Sequence, residues 1–331
     1  LYGEHGFTKD NLIMGDSGGF QIASGALKWN TSLPEKVFTW LENNSDIAMN
    51  LDIPPKMKYE GMYEECLKIS KDNFKYFADN QTGKTDFLNV VQGTNEVEYE
   101  NWYNEIKDFE FQGWAIGGGG RSVYAFMSGV LSLLNGKEHL KDRNKYLHIL
   151  GISKISDFLM LNQLQKSLNE VDSKMVVTTD SSSPDRAVVF GGYYLDYNFK
   201  KASFQSINVP KHDDTFKNQP LNYLPVSTDF DREYLKDALT WEDTIEWQST
   251  CTTAIRLHNL MVFKEAIDKA EYYVYTHDYM LQQIVSTDMF KLLKSLEEMI
   301  KSDNPKVIFE KHKQLYRKMS NTHKEPQIKT H

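Results

Sequence analysis

The chain has 331 residues, of which 25% are charged and 40% are hydrophobic, and its formal net charge at pH 7 is −8. These proportions are ordinary for a globular protein with room for one barrel and an appended part. The excess of acidic residues argues against a general nucleic-acid coat, because binding a polyanion would then require a local basic patch.

Short apolar runs that end in glycine or polar residues predict six β-strands. They cover residues 12–14, 47–51, 87–91, 114–116, 146–151 and 175–179. Between them, helices are predicted over residues 34–44, 59–79, 95–109 and 122–135, the third with a capping box of Asn95 and Glu98. Strands that alternate with helices predict a parallel sheet with crossover connections. Since chemically capable residues follow the strands, we expect an α/β fold with a TIM-type (β/α) barrel.

The turn after the first predicted strand reads Asp16-Ser17-Gly18-Gly19-Phe20-Gln21. Glycines let a backbone approach a flat ligand closely, Asp16 can exchange protons, and Phe20 offers a stacking face. Loops at the carboxyl ends of parallel strands commonly carry the chemistry of such folds. The structural alternative is a strand-ending turn in which Asp16 and Ser17 cap a helix.

Four later strand ends carry residues of the same kind. They are Asp52 before Ile-Pro-Pro, Gln92-Gly93, the glycine run 117–120, and Asp180, which precedes three serines and Arg186. Each has a structural alternative when taken alone. Asp52 could cap a turn, Gln92 could end a strand, Asp180 could cap a helix, and the glycines could bind a phosphate in an unrelated barrel. Their order along one chain is the more specific signal.

This ordered set resembles the tRNA-guanine transglycosylase family, whose members replace a guanine in a polynucleotide by a 7-substituted 7-deazaguanine. The family's five motifs, in order, match residues 16–21, Asp52, residues 91–93, residues 114–118 and residues 180–186. A histidine-x-x-glycine pattern of the family matches residues 148–151 loosely. The resemblance covers roughly the first 190 residues and implies the barrel fold.

The resemblance also implies a reaction. Exchanging a base with retained configuration at C1′ requires two displacements through an oxocarbenium-like state. Asp180 would be the nucleophile that forms a covalent ribosyl ester. Asp16 would protonate the departing guanine and deprotonate the incoming base, and Arg186 would contact a phosphate or the ribose.

The base contacts follow from the same match. Guanine presents N1–H and N2–H donors, which suit Asp52, and an O6 acceptor, which suits the Gln92 amide and the backbone of Gly117-Gly118. Each bidentate contact of this kind discriminates between bases by roughly 1–3 kcal/mol and would favour guanine over adenine. The ring would lie between Phe20 and Leu150.

The chain departs from the family's zinc site, which has three cysteines and a histidine. It has only Cys66 and Cys251, with His258 in a stretch that resembles the segment of the zinc histidine. One cysteine and one histidine cannot form a structural tetrahedral site, so no zinc and no other cofactor is expected. At helical spacing among apolar residues, His258 is instead predicted to be a packing histidine. Two cysteines in unrelated contexts also predict a reduced, cytoplasmic setting without disulfides.

The other departure is at the start of the chain. In the family, the turn that matches residues 16–21 follows the third barrel strand, so the first strands are expected to be missing here or supplied by another segment. An incomplete barrel would expose sheet edges, which is a folding liability. No apolar run reaches the roughly 18 residues of a membrane-spanning helix, so no membrane partner is expected.

Residues 1–205 are predicted to form the catalytic barrel core. Residues 206–331 are predicted to form a loop insertion, over 206–232, and a helical part that closes the barrel and contacts nucleic acid. A hairpin is predicted over 188–204. The candidate basic contacts to a nucleic-acid backbone are Lys200, Lys201 and a C-terminal set of Lys301, Lys306, Lys311, Lys313, Arg317, Lys318, Lys324 and Lys329. The structural alternative for the C-terminal set is a solvated helix face.

The polynucleotide substrate is the open choice. The missing zinc cysteines and tRNA-binding modules favour the branch of the family that modifies DNA in phages and bacteria, with a free 7-deazaguanine as co-substrate. The alternatives are a tRNA enzyme and a catalytically silent nucleic-acid-binding partner subunit, against which the two retained acids count. A phosphosugar-binding barrel would leave Asp52 and Asp180 unexplained. The resemblance further implies a homodimer.

Overall fold

The computed structural model describes residue 8 and residues 10–55, 62–118, 122–208 and 250–321. Its strands are β1 Met14–Gly15, β2 Ile47–Met49, β3 Asp86–Gln92, β4 Gly113–Gly117, β5 Tyr146–Ile149, β6 Val176–Thr179, β7 Gly192–Asn198 and β8 Ser203–Asn208. Its α-helices are α1 Gly19–Ser24, α2 Leu33–Asn44, α3 Met62–Asn80, α4 Glu96–Ile106, α5 Val123–Asn135, α6 Ile155–Glu170, α7 Ser183–Val189, α8 Thr250–Tyr275, α9 Asp278–Ile284, α10 Thr287–Lys301 and α11 Pro305–Asn321.

Strands β1 to β6 form one parallel sheet in chain order, in which each strand pairs with the next. Helices lie in the connections between these strands, as parallel pairing requires. The sheet curls as half of a barrel, and β7 and β8 form a separate antiparallel hairpin. The predicted α/β class, the parallel sheet and the helical C-terminal region are therefore confirmed.

Opposite faces of β3 have different roles. Phe87 packs against Phe38 and Phe77, with ring centroids 5.6 and 5.2 Å away, in the apolar layer between the sheet and helices α2 and α3. Because successive side chains of a strand point to opposite faces, Gln92 belongs to the other face, where it is in register with Gly117 on β4. The pleat thus separates the packing residues of β3 from its candidate site residue.

A buried carboxylate joins α4 to β4 on the helix side of the sheet. Glu138 accepts hydrogen bonds from the Tyr103 hydroxyl at 2.6 Å and from the Trp114 indole at 3.1 Å. It also accepts from Lys141 at 2.6 Å and from the Asn144 amide at 2.8 Å. Burial alone would raise the pKa of Glu138, but these donors hold it below its ordinary value. The charge is therefore compensated in place.

Changing Glu138 to glutamine is expected to lower the free energy of unfolding at pH 7 by about 3 kcal/mol. The glutamine NH2 group would face N–H and O–H groups that now donate to the carboxylate, and it cannot accept from them. A carboxyl whose pKa is lower in the folded than in the unfolded protein stabilises the folded state at pH values above its unfolded pKa. This stabilisation is lost as the pH falls. The difference from wild type should therefore shrink in acid. Urea unfolding at pH 7 and in acid measures the stability difference at each pH. Glu110→Gln is the control, since the Glu110 side chain is 82% exposed. Equal stability of Glu138→Gln and wild type at pH 7 would contradict this.

The last helix packs against α5 within the first part of the fold. The Ser320 hydroxyl accepts the N–H of Tyr124 at 2.9 Å, and the Tyr124 ring lies 6.0 Å from that of Phe309. Lys313 forms an ion pair with Glu96 at 2.5 Å. These contacts hold α11 at the amino-terminal ends of α4 and α5.

The contacts of the chain divide it into two compact units. The first contains residues 1–151, 167–179 and 295–331, and the second contains residues 152–166 and 180–294. The whole parallel sheet belongs to the first unit, whereas α7, the hairpin and α8 belong to the second. The limit predicted at residue 205 is not a boundary between these units, and the predicted domain division stays a prediction.

Some local predictions need correction. Asn95 caps α4 by accepting the N–H groups of Val97 and Glu98, but the Glu98 carboxylate accepts from Thr94 rather than from the Asn95 backbone. The reciprocal half of the capping box is thus displaced by one residue. Residues 206–208, predicted as loop, continue β8, and 209–249 lie outside the described residues. Among the described helices, none is both long and apolar enough to cross a membrane.

Candidate functional site

The turn after β1 is built on a left-handed glycine. Gly18 has φ 80°, a conformation that side chains other than glycine rarely adopt, and its N–H donates to Asp16 Oδ1 at 3.3 Å. The chain then enters α1 at Gly19. Asp16 is exposed, and the Phe20 side chain is 72% exposed. The turn therefore presents an acid and an aromatic ring to the solvent, and the roles predicted for them stay predictions.

A buried pair forms the centre of the site. Gln92, the last residue of β3, donates its amide N–H to Asp52 Oδ2 at 2.7 Å. Asp52 follows β2 and is 4% exposed, and Gln92 is equally inaccessible. Burial raises the pKa of Asp52 to about 7, with the Gln92 hydrogen bond opposing that shift and the negative charge of Asp16 adding to it. A carboxyl with such a pKa can gain or lose its proton near neutral pH.

Two glycines fit closely around this pair. A Cβ atom on Gly19 would lie 2.4 Å from the Asp52 carbonyl oxygen and 3.0 Å from its Oδ1. A Cβ on Gly117 would lie 2.1 Å from the Gln92 amide nitrogen. Real Cβ atoms do not approach so closely, so position 19 requires glycine against the Asp52 backbone, and a side chain at position 117 would displace the Gln92 amide. The structure thus brings together the turn at Gly19, Asp52, Gln92 and Gly117, which the sequence predicts as one site.

A residue that the sequence analysis did not identify also contacts this group. Tyr99, fully buried on α4, donates its hydroxyl hydrogen to the Gly117 carbonyl at 2.7 Å. Its ring carbons would lie 2.8 Å from a Cβ on Gly93, and Gly118 beside it has φ 77°. The aromatic positions of α4 look like ordinary core positions, so no sequence signal marks Tyr99 as a site residue.

The remaining residue of this unit is Leu150, which follows β5. Its N–H donates to the Ile116 carbonyl at 3.1 Å, and its side chain is half-buried. The predicted stacking of a base between Phe20 and Leu150 stays a prediction.

The predicted nucleophile belongs to the second unit. Asp180 directly follows β6, is exposed, and accepts the N–H of Ile152 at its carbonyl at 3.2 Å. Arg186 lies exposed on α7. Lys200 and Lys201 are exposed in the turn between β7 and β8, where the Lys201 N–H donates to Asn198 at 2.8 Å. Exposure leaves these side chains accessible to a ligand, but their assigned roles stay predictions.

Helix α8 holds the segment that follows Asp180. Asn259 accepts the N–H of Tyr194 at 2.9 Å and donates to the carbonyls of Gly192 at 3.0 Å and Pro184 at 3.3 Å. His258 stacks on Tyr193 with ring centroids 3.9 Å apart. Its Nε2 lies 2.6 Å from the Tyr194 carbonyl, which can only accept, so Nε2 carries the proton. The prediction of a packing histidine is confirmed.

These contacts also bear on the zinc that the resemblance implies. Both ring nitrogens of His258 already have partners, since Nδ1 lies 3.2 Å from the Tyr193 hydroxyl. No group of three histidine, cysteine, aspartate or glutamate side chains within the described residues could hold a metal ion. His258 is therefore engaged in packing contacts, and the loss of the family's zinc site stays a prediction.

Four lysines of the predicted basic surface at the C-terminus pair with acids, some on the same helix and some on other segments. Lys301 contacts Glu170 and Glu297, both at 2.6 Å. Further pairs are Lys306–Glu100, Lys311–Glu298, and Lys313 with Glu96 and Glu310. Lys324 and Lys329 lie outside the described residues. The lysine count thus overstates the positive charge that α11 offers to a polyanion.

No protein-family model matches the chain, and a search of curated proteins gives no match.

Proposed function

We propose that this protein is a guanine transglycosylase that exchanges guanine in a polynucleotide, with DNA favoured, for a 7-substituted 7-deazaguanine. The observation that carries the proposal is the buried Asp52–Gln92 pair, enclosed by Gly19 and Gly117. A carboxylate beside a carboxamide complements the hydrogen-bonding edge of guanine.

Each group of the pair has a partner on the base. Ionised Asp52 accepts the guanine N1–H and N2–H. The Gln92 amide nitrogen has two hydrogens, of which one binds Asp52 and the other is available for O6. The Gly118 N–H is the second donor assigned to O6. Adenine offers an acceptor at N1 and a donor at C6, which reverses this pattern and explains the expected selectivity.

The proposed reaction has two displacements. The Asp180 carboxylate attacks C1′ of the nucleotide, and the C1′–N9 bond breaks as Asp16 supplies a proton to the departing guanine. The incoming 7-deazaguanine then gives its N9 proton to Asp16 and attacks C1′, which breaks the ester and restores the Asp180 carboxylate. No other co-reactant is needed, because one base replaces another.

The remaining parts of the proposal concern setting and assembly. A complete TIM-type barrel would need strands beyond β1 to β6, supplied by another segment or subunit. A duplex substrate would require base flipping at a cost of a few kcal/mol, and a single strand would require much less. Arg186, Lys200 and Lys201 would contact the nucleic-acid backbone. A cytoplasmic, phage- or bacterium-encoded homodimer without a cofactor completes the proposal.

The test is incorporation of radiolabelled guanine into duplex DNA, single-stranded DNA and bulk tRNA, assayed in parallel. We expect label in DNA, and we expect Asp180→Asn to reduce incorporation by at least about 1000-fold because it removes the nucleophile. Asp185→Asn is the matched control, since Asp185 lies in the same segment but pairs with Arg256 at 2.8 Å.

Other outcomes are equally informative. Label in tRNA alone would replace the proposed substrate and keep the mechanism. Full incorporation by Asp180→Asn would exclude Asp180 as nucleophile. No label in any substrate, with binding of nucleic acid retained, would favour a silent binding subunit over an enzyme.

A further inference from the structure

Tyr99 is placed to control one specific donor of the site. Its hydroxyl hydrogen bonds to the carbonyl of Gly117 at 2.7 Å, and the side chain is fully buried on α4. The ring packs against Gly93 and Gly129, where added Cβ atoms would lie 2.8 and 3.3 Å from its carbons. The hydroxyl is thus held by a rigid aromatic ring between β3, β4 and α5.

The orientation of one peptide unit follows from this contact. The described chain contains no cis peptide bond, so the Gly117 carbonyl and the Gly118 N–H point in opposite directions across a planar unit. Because Tyr99 holds the carbonyl on its own side, the Gly118 N–H points away from Tyr99. Gly118 has φ 77°, and a Cβ there would lie 2.8 Å from the Gly93 carbonyl oxygen, so this position is suited to glycine.

We propose that Tyr99 is a positioning residue that selects bases with a 6-oxo group, by fixing the Gly117–Gly118 peptide so that the Gly118 N–H faces the purine O6. This inference rests on the proposed function. Without the hydroxyl, the peptide can rotate and point the Gly117 carbonyl toward the base. That carbonyl oxygen repels O6, but it does not repel a base that has no O6. Tyr99 does not touch the base itself.

The test compares two free bases in wild type and Tyr99→Phe. Guanine carries O6, whereas 2-aminopurine lacks both the 6-oxo group and the N1 proton and reports its binding by fluorescence. Wild type should prefer guanine by about 100-fold. In Tyr99→Phe the guanine affinity should fall about tenfold, while the 2-aminopurine affinity stays within about twofold of wild type.

Tyr103→Phe is the matched control. Tyr103 is also buried on α4 and hydrogen-bonded, but to Glu138, so its variant loses stability while its preference for guanine stays unchanged. Equal weakening of both bases in Tyr99→Phe, or an unchanged preference, would overturn the inference. A wild type that does not prefer guanine would overturn the proposed function as well.

A second measurement does not depend on how the variant folds. A crystal structure of wild type with guanine should place O6 within hydrogen-bonding distance of the Gly118 nitrogen, with Tyr99 still bonded to Gly117. Guanine bound in the site with O6 on other donors would overturn the role of Tyr99 and keep the proposed function.

Discussion

Replacing Gly117 by alanine is expected to lower guanine affinity by at least about 100-fold. The new Cβ would lie 2.1 Å from the amide nitrogen and 2.3 Å from Cδ of Gln92, far inside van der Waals contact. Gln92 would have to leave its hydrogen bond to Asp52, which now spans 2.7 Å. A single added methyl group therefore breaks the Asp52–Gln92 pair that the proposal assigns to guanine.

Titration calorimetry with guanine measures this effect, and urea unfolding measures its cost in stability. Gly83→Ala provides the control, because an added Cβ there meets nothing within 4 Å although its φ of 84° strains a side chain by about 1–2 kcal/mol. That variant should lose stability and bind guanine normally. Normal guanine binding by the Gly117 variant would mean that the base does not use the Asp52–Gln92 pair.

The strand ends could be predicted from the sequence because two local signals coincide there. Each buried parallel strand is a short apolar run, and each candidate site residue interrupts that run with glycine, an amide or an acid. Asp52 and Gln92 are separated by 40 residues, yet parallel pairing of β2 with β3 brings their strand ends to one edge of the sheet. A local pattern therefore locates a non-local site.

Other elements carried no such signal. Helix α6 is buried at the consecutive positions 158–161, so it lacks the single apolar stripe on which helix prediction depends. Within the helical C-terminal part, α9 and α10 are separate helices because the Ser286 hydroxyl accepts the N–H of Met289 and caps a new helix. Serine within a helical pattern is too common to reveal this break.

Pairings between distant side chains were also beyond local reasoning. The sequence presents the lysines of α11 as a basic set, but Lys313 pairs with Glu96 on α4. Tyr99 reaches Gly117 from a helix whose periodicity marks the residue only as core. Such contacts depend on how helices pack on the sheet, which no pattern within one segment records.

Guanine affinity is expected to rise about tenfold for each pH unit from pH 5 to about 7 and to level off above that value. Burial raises the pKa of Asp52 to about 7, so most molecules hold its proton below neutrality. Guanine N1–H and N2–H require an ionised acceptor, and binding must therefore release one proton. Calorimetric titration between pH 5 and 8 measures the slope.

Two variants should move the midpoint of this profile in opposite directions. The charge of Asp16 raises the Asp52 pKa, so Asp16→Asn should move the midpoint to lower pH. The hydrogen bond from Gln92 lowers that pKa, so Gln92→Leu should move the midpoint to higher pH and also weaken binding. A pH-independent affinity in wild type would exclude Asp52 as the group that meets guanine.

The same carboxyl should make stability fall with rising pH. The folded protein holds the Asp52 proton up to about pH 7, whereas an unfolded chain releases it at about pH 4. The Asp52 contribution to the free energy of unfolding therefore decreases between these values by about 1.4 kcal/mol per pH unit.

Asp52→Asn keeps an acceptor for Gln92 and removes the buried charge. It should be more stable than wild type at pH 8, by up to about 4 kcal/mol, and bind no guanine. Equal stability at pH 8 would contradict a buried ionised carboxylate, and retained guanine binding would exclude its role in base recognition.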